Sequence, residues 1–411
     1  VQYITPASKA GILTANEATP YTLINTNLAN TGPVVVELPA GPLVGMVDDV
    51  WQRVVVDIGL PGPDAGKGGK YLILPPGVDA PADVPKDYFV YQSPSNHIIT
   101  GLRVLSWMVE SREEAVEIEK KIKVYKYEDR SNPPARDVVV VENNDKYDTK
   151  QPRDMEYWKI VKKIIDQEPV LERDRLIMSM LTALGIEKGK PFNPDARMKK
   201  ILTEAAAIGN ATARAVLWAP RNKDAYYYGT ESAWFSAFQG GYQFQLEDGV
   251  RNLDGRTTFL YFATAITPAM EVVMVGKGSQ YAIAAKDSDG NWLDGSKNYK
   301  LTLPANIPQA NFWSITNYDT QTRSMQQTDY QSTAIGAGTG CPKDGSPNGA
   351  VKQNGDGTTD VYFGPKAPEG MASNWIQTAP GRGWFTVLRL YSPLRPRFDN
   401  TWPPGEIELV Q

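Results

Sequence analysis

The chain has 411 residues, a formal net charge of -4, 41% hydrophobic and 22% charged residues. That is enough for two or three domains of roughly 150 residues each, with the composition of an ordinary globular protein. Mild acidity gives no electrostatic reason to expect nucleic acid or an anionic membrane as partner, and no apolar run reaches the roughly 18 residues of a spanning helix. His97 and Cys341 are the only residues of their kind, which excludes an intrachain disulfide, a thiolate zinc cluster and any site built on two histidines.

The chain opens at Val1 rather than Met, so either it is a processed or trimmed product or earlier residues were left out. Residues 20–80 carry short apolar, β-branched runs, "YTLINTNL", "GPVVVELP", "RVVVDIGL" and "KYLILPPG", separated by Gly, Pro and Asn. That is the spacing of an all-β sandwich. "PGPDAGKGG" is rich in glycine but lacks the order of a phosphate loop, so it reads as a turn. Ser111, three residues before Glu114, predicts a capped helix running to about Ile122. A charged, proline-containing linker follows, holding one strand at Val138–Val141.

From Arg153 to about Pro220 the period becomes helical. Tyr157, Ile160, Val161, Ile164 and Ile165 share one face, which predicts a core stripe. A second helix precedes Gly185, and a third is predicted to start with Asn193 as N-cap and Pro194 at its first position. From about 223 the β pattern returns, with every Asp-Gly pair of the chain in this half as hairpin-turn signals. Predicted strands are "TTFLYFATAI", "QYAIAA", "YKLTLP", "FWSITNY", "TDVYFG" and "WFTVLRLYSP", while "STAIGAGTGCPKDGSPNGAVKQNGDG" reads as one long loop. A sandwich or jelly roll suits this half.

"KDSDGNWLDGSKNY" has acids at alternate positions. An EF-hand loop needs oxygen ligands at alternate positions, Gly at its sixth and Glu at its twelfth. Asp287, Asp289 and Asn291 fit the start, but Trp292 and Asn298 occupy the two restrictive positions. The stretch is therefore read as a hairpin turn, with calcium on Asp287, Asp289 and Asn291 as the alternative.

"DSDGNWLDGSKNYKLTLPANIPQANFWSITNYD" followed by "NWIQTAPGRGWFTVLRLYSP" resembles the domain of unknown function 1214. "GKGGKYLILPPG" and the segment through Tyr127 resemble its common N-terminal companion, domain of unknown function 1254, and the helical stretch from Arg173 resembles the connector between the two. The resemblance implies a mainly β chain with a helical insert. Its parts would be an Ig-like β-sandwich over 1–130, a linker and helical domain over 131–222, and a jelly-roll-like β-sandwich over 223–411. It also implies a periplasmic or extracellular location.

For chemistry, a serine triad would need His97, but Ser93 and Ser95 stand too close to it in sequence, so a structural histidine is expected. Asp48 and Asp49 are neighbours, and alternation along a strand lets at most one of them line a given cleft. Aromatic residues are dense in "DAYYYGTESAWFSAFQGGYQFQ", and such platforms suit sugars or flat apolar ligands. Arg389, alternating with apolar neighbours in "VLRLY", is either paired inside the sandwich or aimed at an anionic ligand. Three functions follow as expectations. One is a hydrolase with a cleft between the β domains, using Asp319, Tyr318, Tyr330 and Arg389 with Asn374. Another is a module that binds a carbohydrate or small molecule through Trp313, Asn374, Trp375, Tyr227 and Trp234. The last is a structural or adhesive protein assembling with copies of itself.

Overall fold

The computed structural model describes residues 2–4, 11–16, 19, 21–135, 137–141, 149–329, 333–338 and 351–410. Tyr330 and Cys341 therefore lie outside the described residues. The first part of the chain runs through β1 (Gln2–Ile4), β2 (Tyr21–Asn27), the helical turn α1 (Leu28–Thr31), β3 (Val34–Leu38), β4 (Leu43–Asp49), β5 (Val54–Gly59), β6 (Gly69–Leu74), β7 (Tyr88–Gln92), β8 (His97–Val104), helix α2 (Arg112–Lys120), β9 (Lys123–Lys126) and β10 (Val138–Val140). Two sheets result, one ordered β10-β1-β2-β8-β4-β5 and one β7-β6-β3-β9. Their facing sides bury Ile24, Val34, Val36, Val47, Ile58, Ile73, Leu102 and Val104 in one core. Because side chains alternate along a strand, the same strands present a second row, Tyr21 and Leu23, Ile99 and Arg103, to the other side of the larger sheet. The Ser111 cap forms as expected, its hydroxyl accepting from the Glu114 amide at 3.1 Å.

The insert holds α3 (Met155–Gln167), α4 (Arg175–Ala183) and α5 (Ala196–Trp218). The cap of α5 is Asp195 and not Asn193: its carboxylate accepts from Met198 N at 2.7 Å, and Pro194 stays outside the helix. An aspartate two residues later is simply in reach of the free amides of the first turn. The α3 stripe is also displaced. Ile165 is buried while Tyr157 and Ile160 are exposed, and Trp158 turns inward to donate to the Leu202 carbonyl at 2.6 Å. Helix α4 buries none of its residues. Among the described residues no helix is long and apolar enough to cross a membrane.

The predicted strand "TTFLYFATAI" is mostly helix, α6 (Leu253–Phe262), followed by the turn α7 (Pro268–Glu271). Asn252 accepts from Gly255 N at 2.8 Å, so the Asp254-Gly255 pair opens a helix and turns no hairpin. Phe259, Tyr261 and Phe262 bury themselves against Trp218, Phe235 and Phe385, and tertiary packing overrides β-rich composition. Strands β11 (Ser279–Ala284), β12 (Asn298–Leu303), β13 (Gln309–Asp319), β14 (Ala334–Gly338), β15 (Thr359–Gly364), β16 (Trp375–Gln377) and β17 (Trp384–Pro393), the turn α8 (Arg395–Phe398) and β18 (Ile407–Val410) complete the chain. They form sheets β11-β17-β13-β14 and β16-β15-β12-β18, enclosing Leu301, Trp313, Ile315, Val361, Phe363, Trp384, Leu388 and Leu390. β14 lies inside the stretch predicted as loop. Its glycines are required by close approach, since a Cβ on Gly336 would stand 2.2 Å from the Trp313 carbonyl oxygen. The fold is thus mainly β with a helical insert.

Candidate functional site

A cavity of about 860 Å³ lies between the outer face of the larger N-terminal sheet and the C-terminal sheet carrying β17. Strand alternation decides its walls. β2 contributes Tyr21, Leu23 and Asn25, and β8 contributes Ile99, Gly101 and Arg103, with Tyr21 opposite Arg103 and Leu23 opposite Gly101 in register. From the other side β11 gives Ser279, Tyr281 and Ile283, and β17 gives Val387 and Arg389, with Tyr281 opposite Arg389. Phe259 and Phe262 of α6, Met270 of α7 and the segment Ile12–Asn16 close the remaining sides. The lining is mostly apolar, with Arg103, Arg389, Tyr21, Tyr281 and Asn16 forming one polar cluster and Gln52, Gln151, Lys277 and Asn311 standing elsewhere on the wall.

Arg103 donates to the Tyr21 hydroxyl at 3.3 Å and to Ser279 Oγ at 3.0 Å. Arg389 donates to Tyr318 Oη at 2.6 Å and Thr316 Oγ1 at 3.0 Å. The guanidinium of Arg103 stands 5.8 Å from the ring centres of both Tyr21 and Tyr391, and that of Arg389 lies 5.6 Å from the Tyr318 ring. Asn16 Nδ2 donates to Tyr391 Oη at 2.9 Å. Among the described residues neither arginine forms an ion pair with a carboxylate; their partners are hydroxyls and, for Arg389, the Thr14 carbonyl at 3.5 Å. Burial opposes both charges, yet the surrounding tyrosines outweigh it and keep both guanidiniums protonated. Burial also pushes the Tyr21 hydroxyl up, but Arg103 and Arg389, helped by Asn16 and Thr19, overcome it and hold Tyr21 below the ordinary tyrosine value. Burial dominates at Tyr281, pushed up to about 12, and at Tyr318 and Tyr391, which are raised.

Arg103, Arg389 and Lys277 are the cations among the lining residues, and no Asp or Glu is among them, so the wall carries net positive charge. The flat fork of a guanidinium matches a carboxylate, and such charge-assisted hydrogen bonds are the strong ones.

Residues 1–126 match the family described as protein of unknown function (DUF1254), and residues 278–395 match the one described as protein of unknown function (DUF1214). The chain belongs to the family that joins these two domains. The DUF1254 part supplies β2, β4 and β8 to the cavity and the DUF1214 part supplies β11 and β17, so the site is shared between them. No curated protein matches the chain. Among solved structures, the VPA0106 protein from Vibrio parahaemolyticus is 18% identical with a TM-score of 0.56, over 97% of this chain and 90% of that one. At that identity the likeness concerns the fold. An uncharacterised protein from Burkholderia cenocepacia is 10% identical with a TM-score of 0.43, over 97% of this chain and 78% of that one.

Of the residues singled out in the DUF1214 sequence, Tyr318 and Arg389 meet beside the cavity. Asp319, next in β13, points to the opposite side. Its Oδ1 accepts from Gln321 N at 2.7 Å and Thr322 N at 2.9 Å, and its Oδ2 is 3.6 Å from Arg382. Trp313 and Trp234 lie in the core between the two C-terminal sheets, with Trp234 donating to the Gly405 carbonyl at 2.9 Å. Tyr227 packs under the Arg397 guanidinium at 3.9 Å. Asn374 bonds the backbone of Lys352 and Asp360, and Trp375 donates to the Gly364 carbonyl at 3.0 Å. Asp287 Oδ1 accepts from Asp289 N at 3.1 Å and Asn291 N at 2.8 Å around Gly290, which has φ 80°. Asp289 and Asn291 are exposed. Among the described residues no three His, Cys, Asp or Glu side chains gather where a metal could sit. His97 is engaged by Glu168, Nδ1 to Oε1 at 2.6 Å, while Ser93 and Ser95 donate to backbone carbonyls.

Sequence reasoning missed Tyr21, Arg103, Asn16 and Tyr281. The signal that singled out Arg389 was also available for Arg103, which alternates with Leu102 and Val104 in "GLRVL".

Proposed function

We propose that the chain binds a small amphipathic organic acid in the cavity between its two domains. The carboxylate sits between Arg103 and Arg389 with Tyr21 beside it, and the apolar body lies along Leu23, Met46, Ile99 and Phe259. The observation that carries this reading is the pair of guanidiniums, one from each facing sheet, whose partners among the described residues are hydroxyls and the Thr14 carbonyl and no carboxylate. The cavity of about 860 Å³ is in the range of roughly 300–1,000 Å³ usual for small-molecule sites. A hydrolase acting through Asp319 has less support, because that carboxylate holds a turn and faces Arg382.

Thermal unfolding and calorimetric titration with straight-chain carboxylates from acetate to palmitate, beside the matching alcohols, test the reading. Saturable stabilisation by the longer acids and none by the alcohols is expected, with loss of the effect in Arg103→Gln and Arg389→Gln. Equal responses to acid and alcohol, or an unchanged response in both variants, would refute it.

A further inference from the structure

Away from the cavity, four arginines meet where the N-terminal domain, the helical insert and α6 come together. Arg53 ends the turn between β4 and β5, where Asp49 Oδ1 accepts from the amides of Trp51 at 2.8 Å and Arg53 at 2.9 Å. Arg173 comes from the helical turn Glu172–Asp174 of the insert. Arg251 and Arg256 flank the Asn252 cap of α6. None of the four lines the interdomain cavity.

Their partners are few. Arg256 donates to the Trp51 carbonyl, and Arg251 Nη1 donates to the Gln243 carbonyl at 2.8 Å. Arg173 is 3.9 Å from Asp49 Oδ2 and 3.5 Å from Asp174 Oδ1, longer than hydrogen bonds. The half-buried guanidinium of Arg53 makes no hydrogen bond or ion pair with any described residue. Asp49 Oδ2 and Asp174 Oδ2 are buried and accept no hydrogen bond. Arg173 thus stands against Asp49 and Asp174, each of which keeps one oxygen without a hydrogen bond among the described residues, with Arg53, Arg251 and Arg256 gathered around the same junction. Burial, then the neighbouring arginines, lower Arg53 and bring Arg256 down to about 10. Mutual repulsion of this kind destabilises the empty junction, and a doubly charged oxyanion would reverse its sign.

We propose that this junction is a second anion site, built for a dianionic oxyanion of the phosphate or phosphomonoester class. Planar guanidiniums approaching from three chain segments suit a tetrahedral oxyanion, whose oxygens accept several forks at once. Half-buried Arg53 and Arg256 with exposed Arg173 and Arg251 at the rim, in place of an extended basic stripe, suit a small ligand.

The test compares wild type with Arg53→Gln, both purified without phosphate, by thermal unfolding and calorimetric titration. The probes are sodium phosphate and glycerol phosphate, with sodium chloride holding the ionic strength constant. Wild type should show a saturable stabilisation by phosphate that chloride does not reproduce. Arg53→Gln should be more stable than wild type without phosphate, because a repelled charge is gone. Its phosphate affinity should be weaker by at least about tenfold, the loss of one charge-assisted contact. If Arg53→Gln fails to fold, Arg251→Gln, at an exposed position, takes its place for the affinity comparison. Glycerol phosphate binding more tightly than phosphate would mark a phosphomonoester site, and equal binding a site for free phosphate. No saturable response in wild type, or a response unchanged in the variant, overturns the proposal. So does a response abolished by Arg389→Gln and kept by Arg53→Gln, which would move the anion into the cavity.

Discussion

Glu119 is sealed in the N-terminal domain, where Oε2 accepts from Thr22 Oγ1 at 2.8 Å and Oε1 from Val104 N at 3.2 Å. Burial pushes its pKa up to about 8, against the pull of those two donors. A carboxyl raised in the folded state favours folding below its unfolded value, and that contribution is lost as pH rises through the folded value. Between about pH 4.5 and 8, wild type should therefore lose stability relative to Glu119→Gln, by up to about 1.4 kcal/mol per pH unit. Denaturant melts of both proteins across that window check it, and a constant difference would count against it. Tyr21 moves the other way. A pH titration of tyrosinate absorbance should contain one ionisation below the rest, absent in Tyr21→Phe. A bound carboxylate, by neutralising Arg103 and Arg389, should shift that ionisation back upward. At this scale the sequence made Arg389 conspicuous because a charge among Val387, Leu388 and Leu390 needs a reason. Tyr21 carried no such signal, since its character comes from arginines that approach from two separate sheets.

Among the elements, continuous apolar and β-branched runs were legible: Val34–Leu38, Val54–Gly59 and Trp384–Pro393 are strands as that composition suggests. Elements that depend on distant partners were not. Leu253–Phe262 is rich in aromatic and β-branched residues and is helical because Trp218 and Phe385 receive its rings. Ala334–Gly338 has almost no side chains to make a pattern, since β13 leaves no room for them. A cleft between the β domains was expected, but its lining was not legible, because its floor is the second face of β8, around Gly101. A Cβ there would meet Met46 Sδ at 3.4 Å and Leu23 Cδ2 at 3.8 Å, which are ordinary contacts. Gly101→Leu should therefore fold, fill the cavity and weaken carboxylate binding by at least about tenfold, or about 1.4 kcal/mol. Calorimetry with the longest acid that binds wild type checks this. Undiminished affinity would place the ligand elsewhere.

At the scale of the whole molecule, the two matched domains hold one site between them, and Asp48 reinforces the joint by accepting from Ile266 N at 3.0 Å. The segment Ile12–Asn16 belongs to the same joint. Thr14 N donates to the Arg323 carbonyl at 2.7 Å, Ala15 accepts from Tyr318 Oη at 2.5 Å, and Asn16 reaches Tyr391. Asn16 is thus bound to Tyr391 across 375 positions of sequence. During synthesis the first sheets can form long before those partners exist, and closing so long a loop is slow. The contacts of Thr14, Ala15 and Asn16 must then wait until β13 and β17 have emerged and docked, although Gly11 and Leu13 can already be held by Thr149. Refolding from denaturant should accordingly regain far-ultraviolet circular dichroism before it regains carboxylate binding, and the lag should lengthen in Asn16→Ala. Simultaneous recovery of both signals would mean that the two domains assemble in a single step. For a ribosome-bound chain, the same order means that the binding site comes into existence only after β17 has been made.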